Sequence, residues 1–178
     1  MQLTIGQKVA YPTQGVCLVE EIKHRTVNGS NMSGYCLRVL GDNSTIFVPQ
    51  QNAESVGIRP IISSSQCRKL IEKLEEDFEP VSGDWKTRSR QFMEKIQSGD
   101  VFEAADVLKK LTFLSHEKKL SFREQTLLEK AKYLIVSEVS NAYAKASAPV
   151  ESEIIRLVEA ACTKHHYTHP RVLTVAVH

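Results

Sequence analysis

Tyr35-Cys36-Leu37-Arg38-Val39-Leu40, then Gly41-Asp42-Asn43, then Thr45-Ile46-Phe47-Val48-Pro49 decide the fold of the first part of the chain. Two runs rich in β-branched and aromatic residues, parted by turn formers, read as adjacent short strands. Toward the N-terminus, Lys8-Val9-Ala10-Tyr11 and Val16-Cys17-Leu18-Val19 have the same character. Asn28-Gly29 is a turn dipeptide that tolerates positive φ, and Pro12 and Pro49 close strands because proline cannot donate to a ladder. Four or five such strands in roughly sixty residues are too few for a sandwich and suit a small SH3-like or Tudor-like barrel.

Toward the C-terminus the apolar period changes from two to about 3.6 at Ser63. Ser63 and Gln66 have capping-box spacing, and Cys67, Leu70, Ile71, Leu74 and Phe78 share one face of a helix running to Pro80. Asp84 caps a second helix carrying Trp85, Phe92, Met93 and Ile96, which ends at Gly99. Asp100 and Glu103 have capping-box spacing before Val101, Ala104, Ala105, Leu108 and Leu111. Ser121 and Glu124 repeat it before a long helix marked by Phe122, Leu128, Ala131, Leu134, Ile135 and Ala142. A fifth helix is expected from about Glu151, burying Ile154, Ile155, Val158 and Ala161. The expected fold is therefore α+β and multidomain. A small N-terminal Tudor/SH3-like β-barrel spans 1–62, an all-α bundle of about five helices spans 63–163, and a tail of no assigned role spans 164–178. The join between barrel and bundle is short, which implies two recognition surfaces in a fairly fixed relation.

The chain has 178 residues, 42% hydrophobic and 25% charged, which excludes disordered, collagenous and fibrous classes. No apolar run approaches the length of a membrane span, and Met1-Gln2-Leu3-Thr4-Ile5-Gly6 lacks the pattern of a secretion signal, so the expected location is cytoplasmic. Cys17, Cys36, Cys67 and Cys162 are far apart without a CxxC and read as small buried residues. The net charge of +2 is too balanced for bulk coating of nucleic acid. The excess is local: residues 86–132 hold eleven Lys/Arg against seven Asp/Glu, and residues 133–178 hold four of each.

Reactive constellations are scarce. GxSxG, P-loop, GxGxxG and HExxH patterns are all missing, so no enzymatic activity and no cofactor are expected. His165, His166 and His169 have a spacing that suits a transition metal, but the sequence places no acidic or Cys partner beside them. They read as a frayed polar terminus, with no metal. The Glu75-Glu76-Asp77 and Glu79 run reads as a solvated helix end. The single tryptophan is more informative. Composition alone makes Trp85 a core or half-buried anchor, since Trp is highly buried on average. Yet it stands at the first helical position, followed by Lys86, Arg88 and Arg90. A ring beside three cations can wedge at a minor-groove base step while the cations hold phosphates. Lys109, Lys110, Lys118, Lys119, Arg123, Lys130 and Lys132 are candidates to extend that face. Lys130 and Lys132 are about 200° apart on a helix and cannot both serve one ligand.

Gly6-x-Lys8-Val9-x-Tyr11-Pro12-x-x-Gly15 and Val48-Pro49-x-x-Asn52-Ala53-x-x-Val56-Gly57-x-Arg59, with Trp85, Ser98-Gly99-Asp100-Val101, Leu120-Ser121 and Lys130-Ala131, resemble the CarD/CdnL family of bacterial RNA polymerase-binding transcription regulators. The resemblance covers about residues 1–160. It implies a front barrel that docks on the polymerase β subunit, similar to a domain of transcription-repair coupling factors. It further implies a helical domain that contacts promoter DNA at the upstream edge of the bubble, with Trp85 as minor-groove wedge stabilising the open complex. Arg25 stands at the family's polymerase-contacting position. Where relatives often carry a second basic residue this chain has Phe47, which implies a more apolar contact or a ring packed inward. Thr87 and Gln125 also stand where relatives can carry basic groups.

The expected partners are the β subunit and promoter DNA, the latter bound weakly without polymerase, and the protein is expected to be a monomer. With so few phosphate contacts, DNA affinity on its own would be about 10⁻⁴ to 10⁻⁶ M at physiological salt, and tethering to polymerase makes the contact effective. The rival reading is a protein-only interaction module in which Trp85 anchors another protein or the bundle's own core.

Overall fold

The computed structural model describes residues 1–170. Residues 171–178, the end of the expected tail, lie outside the described residues. β1 (Lys8–Tyr11), β2 (Gly15–Val27), β3 (Ser30–Val39), β4 (Thr45–Pro49) and β5 (Arg59–Pro60) form one antiparallel sheet in the order β4-β3-β2-β1-β5. Asn28 and Gly29 both have positive φ, at 51° and 78°, as a two-residue hairpin turn of the primed type requires. The β2–β3 register shifts between Val19 and Glu21, a bulge that bends the longest strand where its burial stops. Beyond it the hairpin carries Glu21, Lys23, His24 and Arg25 into solvent. Leu3, Val9, Cys17, Val19, Tyr35, Leu37, Val39 and Val48 form the β core. Ala53 of α1 (Ala53–Val56) and Ile58 close its end.

Five longer helices follow: α2 (Ser64–Glu75), α3 (Trp85–Gln97), α4 (Val101–Glu117), α5 (Phe122–Ala142) and α6 (Ser147–Thr168). The α+β expectation of a small β domain followed by a five-helix bundle holds. Ser63 and Ser121 form full capping boxes with Gln66 and Glu124, and Asp84 accepts from the Lys86 and Thr87 N–H groups. Asp100 caps α4 alone, because Glu103 turns to Lys95 at 3.1 Å instead of reaching back. α2 stops one turn early, yet Phe78 still enters the core from the loop beyond it. α6 begins four residues before Glu151, with Pro149 in its first turn, where a missing N–H costs nothing. Ile155 faces outward, and Leu157 takes its place in the core.

The expected break at residue 164 is not there. α6 continues through it to Thr168, and His165 is buried at 3% exposure. Its ring stacks on Phe78 at 4.0 Å between centroids and meets the Phe113 edge at 4.7 Å. All four cysteines are buried and free. Burial pushes the Cys17 thiol up to about 11 and Cys162 up to about 12, so both stay protonated at neutral pH. Among the described residues no helix is long and apolar enough to cross a membrane.

The β core and the helical core are joined by a polar seam. Glu138 of α5 accepts both arms of Arg59, at 2.5 and 2.9 Å, and the Ile62 N–H at 2.9 Å. Arg59 also donates to the Gly99 carbonyl at 2.8 Å. Along the same face of α5, Lys130 donates to Thr13 O, Tyr133 to Gln14 O, and Ser137 accepts from the Val16 N–H. The Tyr133 ring lies against Gly15 and Gly41, where a Cβ would collide with it. These bonds join α5 to the β1–β2 turn, the start of β2, and β5 with Ile62 beyond it, so the sheet and α5 hold a set orientation.

Candidate functional site

Trp85 is the first residue of α3, held there by the Asp84 cap, and its side chain is directed away from the bundle with 61% of its surface exposed. The reading of Trp85 as a core anchor is therefore corrected. Phe92 and Ile96, seven and eleven residues on, lie on the same side of α3, so Trp85 is exposed by its place at the helix start, about two turns before the first of them. The Lys86 ammonium stands 5.8 Å from the indole centroid, and Lys86 and Arg90 are both exposed. Asp84 is kept below the usual carboxylate range by the Thr87 hydroxyl and N–H, so the cap is ionised at neutral pH.

Arg88, grouped with these cations in the sequence, is placed differently. Its guanidinium is buried at 6% exposure and donates to Ser82 O and Glu124 Oε1, each at 2.8 Å. Three residues along a helix rotate the side chain by about 300°, so Arg88 still lies near the Trp85 side but on the edge that meets α5. It ties the start of α3 to the start of α5 rather than meeting solvent. Glu124 is the centre of this junction: its other oxygen accepts from Lys118 at 2.8 Å and from the Ser121 N–H at 2.9 Å. Burial opposes its ionisation, but Lys118, the Ser121 N–H and Arg88 outweigh that and hold the carboxyl down at about 2.

The junction brings a second ring to the same end of the bundle. Phe122, expected to mark the inner face of α5, is the first residue of that helix and is 90% exposed. Leu127, one residue from the expected Leu128, is the buried one. A Phe directly after an N-cap Ser falls outside the apolar stripe that starts a turn later, and that was the available signal. Lys86 borders the Trp85 ring; Arg90 on α3, Lys119 before α5 and Arg123 next to Phe122 in the sequence are exposed, and Lys118 is shared with Glu124. The other sequence candidates are engaged elsewhere. Lys109 is buried and donates to Lys73 O and Glu76 O, Lys110 pairs with Asp106, Lys130 reaches Thr13, and Lys132 bridges Glu129 and Glu151.

The second candidate surface is on the sheet. The Arg25 guanidinium lies over the Phe47 ring at 4.4 Å. Phe47 is half-buried and crosses β3 at Gly34, where any Cβ would collide with the ring. Arg25 and Phe47 thus form one unit, and the ring neither packs into the core nor stands free.

The sequence matches the "CarD-like/TRCF RID domain" across residues 3–62 and the "CarD, C-terminal domain" across residues 69–155. The chain belongs to the CarD/CdnL family. Between them the two CarD matches account for both the sheet and the bundle through α5 and the first half of α6. YdeB of Bacillus subtilis (strain 168), by its name a candidate transcription factor, is 25% identical over 135 residues, which are 76% of this chain and 88% of YdeB. The solution NMR structure of the 72-residue N-terminal domain of Myxococcus xanthus CarD is 34% identical. That match covers 33% of this chain and 79% of the other, with a TM-score of 0.29.

The CarD/CdnL family is a class of transcription factors. His116 pairs with Glu159 at 3.0 Å in an open groove bordered by Cys162, whose thiol is protonated.

Proposed function

We propose that this protein bridges RNA polymerase and promoter DNA and prolongs the open complex. In this reading the Arg25–Phe47 unit of the sheet docks on the polymerase β subunit. Trp85 then wedges into the minor groove at the upstream edge of the bubble while Lys86 and Arg90 contact flanking phosphates. Arg88 is a positioning residue: it fixes the helix start that carries the wedge. The protein works in the cytoplasm as a monomer, without cofactor or covalent step.

The observation that carries this reading is an indole largely in solvent at a helix start, with the Lys86 ammonium beside it and a buried Arg88–Glu124 ion pair bracing the helix that bears it. With Phe122 exposed at the neighbouring helix start, the indole adds to an apolar surface of the kind that marks an interaction site. The seam at Glu138 supports a bridge as well, because a wedge resists closure only if its carrier cannot swing away from the dock.

A polymerase pull-down combined with open-complex lifetimes tests the division of labour. The wild type and Trp85→Ala should both be retained on the β subunit, and Arg25→Glu should not. Only the wild type should lengthen the lifetime on an unstable promoter. Retention of Arg25→Glu at wild-type level would overturn the docking assignment, and an unaltered lifetime with the wild type would overturn the function.

A further inference from the structure

Asp77, His165 and His169 converge where the loop after α2 meets the end of α6. Asp77 stands 88 residues before His165 in the sequence, which is why the histidines show no acidic partner on inspection. His165 Nδ1 lies 2.7 Å from Asp77 Oδ1, and His169 Nε2 lies 3.8 Å from Asp77 Oδ2. All three ligand atoms fall within 4.8 Å of one another. The two imidazole rings lie side by side, 4.6 Å between centroids, and both present a nitrogen to the one carboxylate.

We propose that this cluster is a divalent transition-metal site, with Zn²⁺ the ion that fits its donors best. Two imidazole nitrogens and a carboxylate oxygen are the donor set of three-ligand zinc centres, which keep a fourth position for water. With metal–ligand bonds of about 2.0–2.1 Å, a tetrahedral ion sets its donors about 3.4 Å apart. The present separations bracket that value, so a small rotation of the Asp77 carboxylate admits the ion. The proton between His165 and Asp77 is then displaced by the metal.

The support around the cluster is already built. His165 is clamped between Phe78 and Phe113 and cannot turn its Nδ1 away. Asp77 Oδ1 also accepts the Phe78 N–H at 2.8 Å, which keeps the carboxylate turned toward the histidines while leaving it room to rotate. His169 is partly exposed, and leaves the open coordination position facing solvent. The buried Lys109 ammonium, 5.8 Å from the Phe78 ring, is the opposing charge nearby. Its proton-donating face is taken up by the Lys73 and Glu76 carbonyls. A bound ion staples the last turn of α6 to residues 76–84, the segment that ends at the Asp84 cap.

Titration of the untagged full chain with Zn²⁺ alone, by calorimetry and by thermal unfolding, tests the site. Co²⁺ absorption reports the coordination. The wild type should bind one Zn²⁺ per chain at micromolar concentration, gain thermal stability on binding, and give the visible bands of four-coordinate Co²⁺. His169→Ala and Asp77→Asn should each lose affinity by at least about tenfold, with the Co²⁺ bands abolished. His166→Ala should bind as the wild type does. His169→Ala removes an exposed side chain, so its fold is checked by its unfolding curve in chelator, independently of metal. Failure of the wild type to bind, or binding that survives both ligand substitutions, or binding that is lost with His166, would overturn the proposal.

Discussion

Replacing Arg88 with methionine separates a residue that holds the wedge from one that holds DNA. The substitution keeps the aliphatic volume and removes the guanidinium, taking away the bonds to Ser82 O and Glu124. Removing one partner of a buried pair costs about 3–5 kcal/mol when the other charge is stranded. Glu124 is not stranded, since Lys118 and the Ser121 N–H remain on its other oxygen. The expected loss is therefore about 2–3 kcal/mol, near the value of one or two hydrogen bonds to a charged group. For a chain of this size that is a fall of about 4–12 °C in Tm.

Urea and thermal unfolding measure the loss, and a double-mutant cycle with Glu124→Gln isolates the pair. The cycle should return a coupling of more than about 1 kcal/mol, since the residues are in direct contact. Binding of duplex DNA as a function of salt completes the assay, because a positioning residue contributes no released counterion. The log–log slope for Arg88→Met should equal that of the wild type even though affinity falls. A stability change inside about 0.5 kcal/mol, the range of ordinary surface substitutions, together with a shallower salt slope, would refute the reasoning.

Lys86→Ala and Arg90→Ala should each leave stability nearly unchanged and reduce the salt slope of DNA binding by about 1. Glu138→Gln should lower Tm through loss of about 2 kcal/mol and loosen the relation of sheet to bundle. Solution scattering should then show a broader distribution of dimensions, and unchanged scattering and Tm would contradict the clamp. Glu124 predicts the acid limb of the stability curve. Its folded carboxyl is held at about 2 against an ordinary 4.5, so its contribution is complete above about pH 4.5 and is lost as pH falls toward 2. After allowance for the solvent around Lys118 this contribution is about 2 kcal/mol, and the difference between wild type and Glu124→Gln should shrink accordingly in acid denaturation.

Local signals were legible and remote ones were not. Ser63, Asp84, Asp100 and Ser121 announce their helices because a cap acts within three residues, and Asn28-Gly29 fixes its hairpin for the same reason. The outer arms of β2 and β3 are not legible in the sequence, since apart from Ile22, Met32 and Ser33 the residues of Glu20 to Thr26 and Ser30 to Ser33 face water and set no apolar alternation. They are strands because the turn and the inner register hold them together.

Arg88 looked like a free cation because its partner is 36 residues away and already occupied in a capping box. The histidine cluster looked like a frayed end for a similar reason. Its burial depends on Phe78 and Phe113, and its carboxylate comes from a run that reads as solvated. Trp85 is the opposite case, where the composition-based expectation of burial gives way to position: it shares the side of α3 that carries Phe92 and Ile96 but stands at the helix start, about two turns before the first of them.

Dissociation of open complexes on an unstable promoter, formed with purified polymerase at one stated salt concentration and challenged with competitor, compares the wild type directly with Trp85→Ala. The account predicts that the wild type prolongs the lifetime and that the substituted protein, bound to polymerase and equally stable, leaves it at the value found with polymerase alone. Equal lifetimes for the two proteins, both longer than with polymerase alone, would contradict the role given to the indole.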